Sequence, residues 1–167
     1  MSAAELERLY DEHAQALFGF LLNLTRNEAD TRDLLQDVFC KVAANPQLLH
    51  KMRDQRAFLL RLAHNCAIDS IRRRQTREKV NSRSELEPLF VARTSADEET
   101  FRRELDAALA KLPAEQRAVA HLKVWEGMTF EAIAELLDIP LNTAASRYRY
   151  GLDKLRAHLR PLYNEIK

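Results

Sequence analysis

Apolar residues recur at helical spacing along nearly the whole chain, and very little interrupts them. Leu6, Leu9, Tyr10, His13, Leu17, Phe20, Leu21 and Leu24 fall on one face of a single amphipathic helix. Only three glycines and five prolines are spread over 167 residues. A β architecture needs many tight turns, and this chain has too few turn residues to build them. The fold class expected is therefore all-α.

The breaks in the pattern divide the chain. A polar turn is read at "RNEAD", Arg26 to Asp30, followed by a helix through Leu34, Leu35, Val38, Phe39 and Val42. That helix should end near Ala44 to Pro46, because residues before proline disfavour helix. "QLLHKMRDQ" reads either as a loop or as a short helix. A long third helix is expected from about Arg56 to about Gln75, with Leu59, Leu62, Ala63, Cys66 and Ile71 inward. Periodicity dissolves in "NSRSELEPLFVARTSAD", a linker whose Leu89-Phe90-Val91 cluster is a candidate docking element. Helices resume at Glu98, and Pro113 in "KLPAEQ" is placed to open another. Two small helical domains result, residues 1–80 and 98–167, joined by a linker at 81–97. Each has a thin core, which favours a chain that works bound to a partner.

The net charge is only +1, yet the charges are unevenly placed. From Met1 to Asp37 eight acids oppose three bases, whereas from Ile71 to Arg83 six bases oppose Glu78 alone. Opposed patches imply two partners, one basic and one anionic. Cys40 and Cys66 stand apart without metal spacing and read as reduced, buried thiols. No apolar run is long enough for a signal core or a membrane span, so a cytoplasmic location without membrane contact is expected. The five His and two Cys form no ligand cluster, and no glycine-rich phosphate loop or nucleophile–base pair is visible. No cofactor, metal or catalytic residue is expected.

Thr129 to Leu159 has the layout of a helix-turn-helix. Thr129 is a good N-cap, with Ala132 where a Glu or Gln would complete a capping box. Phe130, Ile133, Ala134 and Leu137 form the inner face of the first helix, and Asp138 occupies a turn that often needs left-handed backbone. The second helix is expected to start with Asn142 as its cap. Ala144, Tyr148, Leu152, Leu155 and Leu159 should pack inward, leaving Thr143, Ser146, Arg147 and Tyr150 outward, flanked by Arg149 and Lys154. Small residues at such a helix start let backbone N–H groups approach phosphates, and Arg147 is long enough to read a guanine edge. Amphipathic helices in this order also build plain bundles, so the pattern alone leaves both readings open.

In the N-terminal half, Asp33, Gln36 and Asp37 lie on one helical face. They form either an ordinary solvated surface or a strip suited to a basic helix. Arg61, His64, Asn65 and Asp69 precede the run Arg72, Arg73 and Arg74, and pair base-bonding side chains with a phosphate tether.

Taken in order, three blocks resemble the bacterial RNA polymerase sigma factors of the small extracytoplasmic-function type. They are "ADTRDLLQDVF", "RAFLLRLAHNCAIDSIRRR" and "LPAEQRAVAHLKVWEGMTFEAIAELLDIPLNTAASRYRYGLDKLR". The resemblance implies that Asp33, Gln36 and Asp37 bind the β′ clamp helices of core polymerase. It implies that Asn65, Asp69 and Arg72 to Arg74 belong to the helix that recognises the −10 element, and that the last block binds the −35 element beneath the β flap. The loop His50 to Gln55 stands where relatives capture a flipped-out base, and Phe58 where they usually carry Trp. An anti-sigma partner is also implied, and a monomer when free. Two departures stand out: "NTAASR" replaces the usual "GTVKSR", so Ala145 stands for a basic residue, and Asp138 replaces the turn glycine. The rival readings are a dimeric stand-alone helix-turn-helix regulator and a degenerate, purely protein-binding adaptor.

Overall fold

The computed structural model describes residues 1–78 and 96–166. Of the linker expected from Asn81 to Asp97, residues 81–95 with the Leu89-Phe90-Val91 cluster lie outside the described residues, as does Lys79, whereas Ala96 and Asp97 already belong to the next helix. The described residues hold eight helices and no strand. Two compact units, Met1–Glu85 and Leu86–Lys167, divide the chain.

In the first unit, α1 (Ala3–Thr25) opens with a complete capping box. The Ser2 hydroxyl accepts from the Glu5 N–H at 3.2 Å, and the Glu5 carboxylate accepts from the Ser2 N–H at 2.7 Å. Arg26 ends the helix in left-handed backbone, φ 59°, its N–H bonded to the Leu22 carbonyl. Asn27 at once caps α2 (Glu28–Ala44), its side-chain oxygen accepting from the Asp30 N–H at 2.9 Å. The polar turn expected across Arg26 to Asp30 is thus only two residues, a C-cap followed by an N-cap. The ambiguous stretch resolves into both alternatives: α3 (Pro46–His50) is a short helix, and Lys51 to Asp54 is a loop. The Asp54 carboxylate accepts from the Ala57 N–H at 3.0 Å and so starts α4 (Gln55–Glu78).

Helices α1, α2 and α4 pack around Leu17, Phe20, Leu21, Leu24, Val38, Leu59 and Ala63. Leu60, Ala67 and Ile68 are buried as well, whereas Leu62 and Ile71, expected inward, are only half-buried, so the inner face of α4 is rotated from the one its spacing suggested. Two further expectations fail here. Tyr10 is 46% exposed, lying over Phe39 with ring centroids 4.9 Å apart. Cys40 is exposed while Cys66 is buried, because α2 turns only one of its faces to the core.

The second unit holds α5 (Ala96–Lys111), α6 (Ala114–Val124), α7 (Phe130–Leu137) and α8 (Leu141–Ile166). Helices α5, α6 and α7 each pack on α8. Pro113 opens α6 from the N-cap position. Arg117 is buried, and its guanidinium donates to the Leu109 and Leu112 carbonyls at the end of α5. A cation there satisfies carbonyls that the helix end leaves over. No described helix is long and apolar enough to cross a membrane.

Candidate protein and nucleic-acid interfaces

Helix α2 is pinned by buried Leu34, Leu35 and Val38, which leaves Asp33, Gln36 and Asp37 all exposed on its outer face. Beside them runs an apolar groove of about 400 Å³, formed by Leu6 and Tyr10 of α1 with Leu35, Phe39 and Ala43 of α2. Gln36 borders it. Sequence reading missed this groove, since it put Tyr10 with the other residues of the apolar face of α1. An aromatic at the margin of an apolar stripe, on a helix neighbouring an acidic strip, is the signal that would have found it.

On α4, Arg61, Asn65, Asp69 and Arg72 follow one another at i, i+4, i+8 and i+11 and are all exposed. They make a continuous polar line down one side of the helix. His64 is half-buried and off that line. The arginine run behaves differently from the patch expected. Arg73 donates from Nε to the Asp69 carbonyl at 3.4 Å, and Arg74 meets Asp30 of α2 with Nη1 2.6 Å from Oδ2. Asp30, Asp33 and Asp37 share with Ser70, Arg73, Arg74 and Arg77 one cleft of about 490 Å³. The acidic strip and the basic run, read from sequence as separate surfaces, face each other within one unit.

In the second unit, Thr129 caps α7 by accepting from the Ala132 N–H at 3.1 Å. Asp138 takes the left-handed conformation, φ 55° and ψ 52°, and turns the chain into α8. Ile133 and Ala134 are buried as expected, but Leu136 is buried more deeply than Leu137. Asn142 is not the cap. The Pro140 carbonyl accepts from the Thr143 and Ala144 N–H groups at 3.0 and 3.1 Å, so α8 already begins at Leu141. Pro140 suits that position because it brings no N–H that needs a partner. Ala144 is fully buried, and Tyr148 packs edge-on against Phe130 with centroids 5.4 Å apart, fixing the crossing of α7 and α8.

The outward residues fall into two groups. Asn142, Arg149, Tyr150 and Lys154 are exposed, whereas Thr143, Ser146 and Arg147 are half-buried. The Arg149 guanidinium lies 5.4 Å from the centre of the Tyr150 ring, a cation–π contact that holds both side chains outward together. In the same unit, His121 of α6 is buried and stacks on Trp125 at 5.2 Å. Burial lowers its pKa to about 4. Glu126 stands 3.9 Å from its Nε2.

Among the described residues, no three His, Cys, Asp or Glu side chains gather to hold a metal ion.

Residues 9–77 match the family pattern "Sigma-70 region 2", and residues 102–155 match "Sigma-70, region 4". The chain is 31% identical over 170 residues to ECF RNA polymerase sigma factor SigL of Mycobacterium tuberculosis, covering 96% of this chain and 92% of the relative. The chain belongs to the ECF sigma factors of the sigma-70 family. RNA polymerase sigma factor CarQ of Myxococcus xanthus is 31% identical over 160 residues, with 96% and 92% covered. ECF RNA polymerase sigma factor SigX of Bacillus subtilis is 27% identical over 165 residues, with 95% and 85% covered. A solved structure of the sigma factor RpoE from Bartonella quintana, in complex with the anti-sigma factor NepR, shares the fold. Its TM-score is 0.74 at 20% identity, over 93% of this chain and 97% of that one. The ECF factor described here is therefore an alternative sigma factor, acting in transcription initiation. Within it, α1 to α4 carry the region 2 match and α5 to α8 the region 4 match.

Proposed function

We propose that this sigma factor divides its work between its two domains, with boundaries at 1–80 and 98–167 and a connecting segment at 81–97. The first domain docks on the β′ clamp helices of core polymerase through Asp33, Gln36 and Asp37. Along α4, Arg61, Asn65, Asp69 and Arg72 hold the melted −10 strand, with Arg73 and Arg74 tethering its backbone and His64 supporting from the adjacent face. The second domain holds duplex −35 DNA under the β flap, with Asn142, Thr143, Ser146, Arg147, Arg149, Tyr150 and Lys154 of α8 against the major groove. The factor has no chemistry of its own, works in the cytoplasm, and is a monomer when free.

The observation that carries this reading is the exposed polar line on α4. Four side chains able to bond bases or phosphates are presented in register along more than three turns, which suits tracking one unpaired strand. An anti-sigma partner is proposed as well, in keeping with the NepR complex of the structurally similar RpoE.

The test is reconstitution with sigma-free core polymerase, read as open-complex formation on a promoter library. Binding to core and strand opening on a subset of promoters is the expected result; failure to bind core would sink the assignment. A stable homodimer that occupies operators without polymerase would support the regulator reading instead.

A further inference from the structure

We propose that Asp30 is an internal counter-ion of the arginine run, so that the free chain masks part of the surface with which it holds a nucleic-acid backbone. The proposal rests on the reading of that run as a backbone tether.

The geometry is specific. Asp30 sits in the first turn of α2 and Arg74 near the end of α4, and their side chains meet at 2.6 Å across the cleft. Both helices are held by buried neighbours, Thr31 and Leu34 on α2 and Ala67 and Ile68 on α4. Only side chains have to move for the pair to open. Arg73, Arg74 and Arg77 line one side of the cleft and Asp30, Asp33 and Asp37 the other, so the cleft neutralises itself. A phosphate arriving at Arg74 must displace the Asp30 carboxylate. Conversely, a cationic partner on the Asp30, Asp33 and Asp37 face relieves the competition, and the two effects are equal by linkage.

The size of the effect follows from exposure. The Arg74 and Asp30 side chains are 43% and 37% exposed. A pair of that kind holds binding back by about threefold, and by no more than about fivefold at low salt.

The experiment measures the affinity of the full-length chain for a fluorescein-labelled single-stranded DNA oligonucleotide at low ionic strength. The Asp30→Asn variant keeps the α2 cap, which uses the backbone N–H of residue 30 rather than its side chain. It is expected to bind about threefold more tightly than wild type. Asp11→Asn removes the same charge from an exposed α1 site outside the cleft and should gain much less. Arg74→Ala should weaken binding and abolish the advantage of Asp30→Asn in the double variant. Equal gains from Asp30→Asn and Asp11→Asn, or a gain that persists without Arg74, overturn the inference while leaving the tether reading intact. No effect of Arg74→Ala overturns the tether reading, and the inference with it.

Discussion

Arg149 is exposed on the outer surface of α8. Ala145, which stands for a basic residue in the sigma-factor pattern the sequence resembles, is half-buried. Arg147, the reader expected from sequence, is also half-buried, whereas Arg149 is exposed and braced on Tyr150. Arg149→Ala is therefore expected to cut −35-dependent initiation by roughly tenfold, the loss of one good contact of about 1–3 kcal/mol. Core binding should be unchanged, as measured by pull-down of polymerase beside in vitro transcription. Equal losses in both assays would mean a folding defect instead. Asp138 shows the same economy in the backbone. It occupies a left-handed turn that glycine adopts most easily, and its short polar side chain tolerates that conformation better than most.

At the scale of helices, α6 carries a pH dependence. The His121 imidazole is neutral in the fold, its pKa lowered by burial from 6.5 to about 4. In the unfolded chain it gains a proton as the pH falls through 6.5, so the unfolded state binds more protons between about pH 6.5 and 4. Stability is fully present above that window and is lost as the pH drops through it, by at most about 3 kcal/mol. Urea unfolding followed through Trp125, the single tryptophan, should show this slope in the wild type. His121→Gln should flatten it; an unchanged slope would assign the effect to other groups. Most of the helices were legible in the sequence because their apolar period is clean and their caps are local, as with Thr129 and Asp138. What escaped has physical causes. A five-residue helix such as α3 is too short to show a period, Pro140 moved the cap of α8 two residues ahead of Asn142, and Tyr10 lies at the margin of its stripe. The meeting of Asp30 with Arg74 joins residues 44 positions apart, and nothing in either local pattern announces it.

For the whole molecule, near-neutral charge sets the terms of DNA binding. With a net charge of +1 and part of the arginine run engaged by α2, the free factor offers few phosphate contacts. It should bind duplex DNA weakly, with a shallow dependence of affinity on salt, and gain affinity and a steeper salt dependence only when assembled with polymerase. Tight, steeply salt-sensitive binding by the free protein, in titrations at several salt concentrations, would contradict this. The contrast between the two cysteines also has a practical use. Cys66 is 5% exposed, whereas Cys40 is exposed on the lining of the α1–α2 groove with Tyr10 and Phe39. A thiol-reactive fluorophore therefore has one accessible attachment point in the native chain. With no engineered residue, a dye at that point would report in real time when a protein comes to cover the groove.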